Sequence, residues 1–189
     1  MRIIAGTFRS RPLQAPAGLA TRPTSDRLRE TLFNVLAPRI EGARFLDLYA
    51  GSGAVGLEAL SRGAVMVTCV ERAAPAQETL RANLRKLRAE ETIRVRSGSV
   101  AEYLKQASGP WDVVFLDPPY DAEAEYAATL GALGGAAAGL LAAAAVVIAE
   151  HRRKEKLEDR YGKLARTRLL EQGDASLSFY QSVDSSATE

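Results

Sequence analysis

The stretch "RFLDLYAGSGAVGLEALSRG", residues 44–63, decides the fold. Residues 44–50 read as a strand, and residues 54–63 as a helix closed by Gly63. Between them Gly51, Gly53 and Gly56 form a G-x-G-x-x-G pattern. Glycines at such a junction let the chain turn tightly and let a ligand approach the backbone, with the first helical N–H groups pointing at it. The next apolar run, "AVMVTCVE" (64–71), ends on Glu71, twenty residues after Gly51. That is the usual place for an acid that binds the two hydroxyls of an adenosine ribose. A glycine pattern alone is weak evidence. Set in strand–loop–helix–strand–acid, it points to a cofactor containing a nucleoside.

Two cofactor classes share this layout, NAD(P) and S-adenosylmethionine. Asp47 stands four residues before Gly51, at the end of the first strand. A carboxylate there suits the ammonium of a methionine moiety and repels a pyrophosphate. The sequence thus favours S-adenosylmethionine, with S-adenosylhomocysteine as product. Tyr49, Ser52, Gly51 and Gly53 of the loop join Asp47 and Glu71 as cofactor candidates, with Arg72, Ser99 and Val100 after the second and third strands.

Moving outward, the alternation continues. "APAQETLRANLRKLRA" (74–89) is a helix with Pro75 in its first turn and Leu80, Leu84 and Leu87 on one face. "TIRVRS" (92–97) is a strand, "VAEYLKQA" (100–107) a helix and "WDVVFLD" (111–117) a strand. A helix over 122–133 leads to the strand "AAVVIAE" (144–150), helical positions follow at 152–159, and "KLARTRLL" and "ASLSFYQSV" form an antiparallel edge hairpin. Ahead of the core stand a short strand at 2–6, a loop with three prolines, and a helix from Ser25 to Leu36. Repeated strand–helix units predict an α/β, Rossmann-like fold: a mostly parallel, seven-stranded sheet covered by helices on both faces. One domain is expected over 1–189, with an extension at 1–43, a core at 44–183 and a tail at 184–189.

The fourth main strand ends in "VVFLDPPY" (113–120). In an open α/β sheet ligands bind beyond the carboxyl ends of the strands at the switch point, which places Asp117 beside the glycine loop. An exocyclic amine conjugated with its ring is a poor nucleophile. Two acceptors gripping its N–H groups, the Asp117 side chain and the Pro118 carbonyl, would orient it and localise its lone pair. Pro118 and Pro119 fix the backbone so that the carbonyl is aimed. Tyr120 can stack on a flipped-out base. A proline-rich turn that merely ends a strand is the bland alternative, weakened by the glycine loop in the same sheet.

Composition narrows the classes further. One cysteine, Cys69 in an apolar run, excludes a disulfide framework and reads as a buried thiol. One histidine, His151, argues against a zinc site or a Ser-His-Asp triad, so no metal is expected. The Ala/Gly-rich run at 134–149 is shorter than the roughly 18 residues of a membrane span. Without a leader-like N-terminus, a cytoplasmic protein is expected. The net charge of +2 divides unevenly, +5 over residues 1–44 and −3 over the rest. Such a basic segment suggests a polyanionic partner, with a solvated arginine-rich surface as the alternative.

Together, "DPPY" and "LDLYAGSGAVGLEAL" resemble the class I, Rossmann-like S-adenosylmethionine-dependent amino-methyltransferases. "RIIAGTFRSRPL" followed by "RPTSDRLRETLFNVL" narrows the resemblance to the bacterial small-subunit (16S) ribosomal RNA guanine-N2 methyltransferase family, from Arg2 to about Glu150. The resemblance implies that residues 22–30 help close the site through Arg22, Thr24 and Arg27, with Arg22 and Thr24 toward the cofactor. It further implies that Arg2, Arg9, Arg11 and Arg27 meet RNA, the partner being small-subunit ribosomal RNA or the assembling small subunit; a monomer is expected. This chain departs from the family at Thr7, Phe8 and Pro12, and at Ser99, where an acid or amide often meets adenine. The alternatives are methyl transfer to DNA adenine N6 or a protein amide, a small NAD(P)-dependent oxidoreductase, and a non-catalytic RNA-binding module.

Overall fold

The order in which the strands pair decides where a ligand can sit. The computed structural model describes residues 1–15, 25–119 and 123–183. Helix α1 (Asp26–Ile40) precedes four strand–helix units and a fifth strand: β1 (Arg44–Leu48), α2 (Ala54–Ser61), β2 (Met66–Glu71), α3 (Ala74–Leu87), β3 (Ile93–Ser97), α4 (Val100–Gln106), β4 (Trp111–Leu116), α5 (Glu123–Gly134) and β5 (Leu141–Arg152). The short β6 (Arg160–Tyr161) and the hairpin of β7 (Leu164–Gln172) and β8 (Ala175–Ser182) follow. These strands form one sheet in the order β3-β2-β1-β4-β5-β8-β7-β6. The first five pair in parallel, and the last three antiparallel. The order reverses between β1 and β4, so the ends of those two strands meet at the switch point.

Residues alternate between the two faces of each strand. Phe45, Val67, Cys69, Val113 and Phe115 meet α1, α2 and α3 in one buried cluster. Leu46, Leu48, Val70, Val114 and Leu116 meet α4 and α5 in the other. Two glycines make the junction after β1 possible. Gly53 has φ +78, and a Cβ there would lie 2.1 Å from Leu80 Cδ1. A Cβ on Gly56 would lie 2.8 Å from Cys69 Sγ, so α2 rests directly on β2.

Four expectations are corrected. Residues 2–6 form no strand; Arg2 and Pro12 share a single antiparallel bridge. The segment instead lies on α2, where the buried Glu58 carboxylate accepts the N–H groups of Ile4 and Ala5 at 2.8 and 3.0 Å. Residues 152–159 are no helix: β5 runs to Arg152, and a turn follows in which Arg153 N–H donates to the Asp174 carbonyl at 2.8 Å. Beyond that turn β6 pairs with β7, which makes eight strands rather than seven among the described residues. Helix α1 also outruns its expected end at Leu36. Ser25 caps its start by accepting the Leu28 N–H at 3.1 Å, and it continues to the buried Ile40 with Pro38 in its last turn.

Not all of the N-terminal charge is on the surface. Arg29 is fully buried, and its Nη2 donates to the Arg2 carbonyl at 2.6 Å and to Asp26 at 2.9 Å. Its Nε lies 3.8 Å from Glu58, which also holds Arg62 at 2.7 Å. Burial lowers the Arg29 pKa, and Glu58 and Asp26 oppose that. The start of α1, the N-terminal segment and α2 are thereby joined around one buried ion pair.

Candidate functional site

A cavity of about 550 Å³ opens at the carboxyl ends of the central strands. The glycine loop, the β2 end at Glu71 and Arg72, the turn at Gly98–Val100 and the turn Asp117–Pro119 all line it. Two motifs 70 residues apart thus share one wall, because β1 and β4 are hydrogen-bonded neighbours.

Asp47 is buried, 1% exposed, and its Oδ2 accepts the Gly56 N–H at 2.9 Å. Burial raises its pKa to about 7; the Gly56 bond opposes this, and Glu71 adds to it. Glu71 accepts the Gly51 N–H on Oε2 at 2.8 Å and the Ala73 N–H on Oε1 at 2.7 Å. The acid that ends β2 therefore shapes the glycine loop directly. Tyr49, with φ +65, bonds Glu125 at 2.7 Å and Thr129 at 2.8 Å, tying the loop to α5. Arg72 is largely exposed and lies 3.9 Å from Glu125.

Asp117 is half-buried at the mouth, with Pro118 buried and Pro119 exposed. Desolvation raises its carboxyl well above the usual carboxylate range, and Glu150, Asp47 and Glu155 add to the effect. Glu150 follows Ala149, the register partner of Leu116, so it stands beside Asp117 on the next strand. The cavity wall carries Asp47, Glu71, Asp117 and Glu125 against Arg72. Its charge favours a cationic ligand and disfavours a diphosphate.

The cavity brings together Asp47, Tyr49, Gly51, Ser52, Glu71, Arg72, Ser99, Val100, Asp117, Pro118 and Pro119. Gly53 is not in the wall; its place is the left-handed turn into α2. Ser99 caps α4 by accepting the Glu102 N–H at 3.2 Å and donating to its carboxylate at 2.7 Å, which commits its hydroxyl locally. Arg2, Arg9, Arg11 and Arg27 are exposed and lie outside the wall, Arg2 being 3.8 Å from Asp26. Arg22, Thr24 and Tyr120 lie outside the described residues. Burial pushes the Cys69 thiol well above its ordinary pKa, helped by Asp47 and Glu71, so it is no ready nucleophile.

Some residues of the site had not been singled out. Buried Asn83 accepts the Gln14 N–H at 2.8 Å and donates to the Gln14 and Ser52 carbonyls at 3.1 and 3.0 Å. It clamps the N-terminal segment to the glycine loop, and Met1 and Ala15 reach the cavity. The available signal was a polar residue on the face of α3 that carries Leu80 and Leu84. Glu58, the one charged residue in α2, was a similar signal. No group of three or more potential metal ligands occurs among the described residues, and no helix there is long and apolar enough to cross a membrane.

A family model described as "Conserved hypothetical protein 95" matches residues 1–181. Ribosomal RNA small subunit methyltransferase D of Escherichia coli (strain K12) is 47% identical over 120 residues, 64% of this chain and 60% of that protein. The chain thus spans about three fifths of that relative's length. The protein of the same name from Haemophilus influenzae is 44% identical over 134 residues, 69% of each chain. Among solved structures, the Escherichia coli protein yhhF superposes with a TM-score of 0.83 at 38% identity, covering 96% of this chain and 97% of that one.

Proposed function

The chain belongs to the Conserved hypothetical protein 95 family, and from that premise we propose that it is an S-adenosylmethionine-dependent methyltransferase acting on the exocyclic N2 amine of a guanine in small-subunit ribosomal RNA. One observation carries the reading: the glycine loop and Asp117–Pro119 line a single cavity, whose described wall holds four carboxyl groups against one guanidinium.

The residues present fit the cofactor. Glu71 keeps lone pairs for ribose hydroxyls beside the bonds it makes to Gly51 and Ala73. Asp47 offers a buried carboxylate to an ammonium, and Val100 and Ala101 offer apolar surface to an adenine. S-adenosylmethionine would supply an electrophilic methyl group on a cationic sulfur. What the chain itself contributes is position and charge. Asp117 and the Pro118 carbonyl accept the two N–H groups of the amine and turn its lone pair toward the donor. As the N–C bond forms and the S–C bond breaks, a proton must leave the nitrogen, and its uptake is assigned to the Asp117 carboxylate in the cavity wall. Its raised pKa makes it a better base than an exposed carboxylate. Cationic ligands would in turn draw Asp47 and Asp117 toward their ionised forms. The same reading assigns the flipped base to Tyr120 and the cofactor side to Arg22 and Thr24, all three outside the described residues, and the RNA backbone to Arg2, Arg9, Arg11 and Arg27.

The test offers radiolabelled S-adenosylmethionine together with naked small-subunit RNA, assembled small subunits, DNA or a protein extract. Label is expected in RNA, recovered as N2-methylguanosine after digestion. Absence of label from every RNA species sinks the proposal, and label in DNA or protein moves the acceptor to the alternative class.

A further inference from the structure

The sheet face that carries α4 is only partly covered. Helix α4 has seven residues, a rise of roughly 10 Å, whereas strands of five or six residues extend roughly 16–20 Å. The uncovered part is a second cavity of about 520 Å³, lined among others by Arg44, Thr68, Arg94, Arg96, Tyr103 and Trp111. Arg94 and Arg96 stand two residues apart on the edge strand β3, hence on one face, in register with Thr68 and Val70. From β1, Arg44 places its guanidinium 5.5 Å from the centre of the Trp111 ring.

Positive charge and free donors converge here. None of Arg44, Arg94 and Arg96 forms an ion pair among the described residues. Among the described residues the wall holds a single carboxylate, Glu102, which is bonded to Ser99. Trp111 is 3% exposed, and its buried indole N–H and the buried Arg44 Nε have no partner among the described residues. Buried donors without partners are rare in folded chains and call for an explanation, such as a ligand or ordered water. Around Tyr103, burial raises the phenol pKa while Arg96 and Arg94 pull it down, so both guanidinium charges reach this cavity.

We propose that this groove is a phosphate-binding site, separate from the glycine-loop cavity, which takes the phosphate of a nucleotide or of an RNA backbone. Guanidinium groups bind phosphate through paired charge-assisted hydrogen bonds, and three of them around a polar floor match that chemistry. The groove adjoins the glycine-loop cavity at Gly98 and Ser99, which line both. Its occupancy does not depend on the methyl-transfer reading.

Trp111 is the only tryptophan, so its fluorescence reports on the groove. Inorganic phosphate, guanosine monophosphate and a single-stranded RNA oligomer are titrated in turn into the protein held with saturating S-adenosylhomocysteine. A saturable change in emission is expected. Substituting both Arg94→Ser and Arg96→Ser, exposed positions that should leave the melting temperature in place, weakens it on the order of 100-fold, about tenfold for each lost contact. A response to the mononucleotide identifies a free nucleotide as the source, and a response to RNA alone identifies the backbone. No saturable change with any probe, or a change that the double substitution leaves intact, overturns the proposal. Failure of S-adenosylhomocysteine to bind appears in its own calorimetric titration and bears on the methyl-donor reading instead.

Discussion

Replacing Asp47 by asparagine should make the ligand-free protein less sensitive to pH while weakening cofactor binding. Asp47 is 1% exposed, and its pKa rises from 3.8 to about 7. By that rise the folded state disfavours the ionised carboxyl by about 4 kcal/mol. The sign follows from proton counting. Between 3.8 and about 7 the folded chain holds a proton that the unfolded chain has released. The contribution to stability is therefore full below 3.8 and is lost as the pH rises through about 7. Asparagine cannot ionise, and its Oδ1 can still accept the Gly56 N–H. Its amide group must find a partner, which offsets about 1–3 kcal/mol of the gain. Denaturant unfolding of both proteins at constant ionic strength, from pH 5 to pH 8, gives two curves. Their difference isolates Asp47 from Asp117, whose raised pKa acts in the same direction. The curves should diverge as the pH rises, with the variant more stable by about 1–3 kcal/mol at pH 8. Calorimetry at pH 8 should show S-adenosylhomocysteine binding the variant roughly tenfold or more weakly, the loss of one charge-assisted contact. Parallel curves would refute the pKa argument. Unchanged affinity would refute the role given to the carboxylate.

Three further outcomes test other parts of the site. Asp117→Ala should abolish methyl transfer while S-adenosylhomocysteine still binds; loss of binding in calorimetry would show that Asp117 serves the cofactor instead. Glu71→Ala removes the acceptor of the Gly51 and Ala73 N–H groups, so cofactor affinity should fall by at least about tenfold, and an unchanged value contradicts a ribose contact. Glu58→Ala strands the buried Arg29 and two backbone N–H groups, and unfolding free energy should drop by about 3–5 kcal/mol. The double substitution Arg29→Met with Glu58→Leu should lose less than Glu58→Ala does, and an equal or larger loss would argue against an uncompensated charge as the cause.

Much of the parallel half of the sheet was legible because its signals are local. The runs "RFLDL", "MVTCVE" and "WDVVFL" became β1, β2 and β4, and the glycines between β1 and α2 marked a turn that few other residues could make. Where the reading failed, the deciding contact came from far along the chain. A strand at residues 2–6 had the right composition, but Glu58 took the N–H groups of Ile4 and Ala5 that a neighbouring strand would have needed. Helical spacing at 152–159 gave way to a turn pinned by Asp174, which lies just before β8.

The sequence by itself determined the residue types at the site: a glycine loop, an acid at the end of β2, and a carboxylate with two prolines at the end of β4. Each follows from backbone chemistry within about a dozen residues, so each could be read from one segment. Only the tertiary structure decided which of those residues share a wall, because β1 meets β4 across the switch point. It alone showed that Ser99 is committed to its helix cap and that Arg29 belongs to the interior. It also gave Asp47 its pKa of about 7, since desolvation is imposed by everything packed around a side chain and not by its neighbours in sequence.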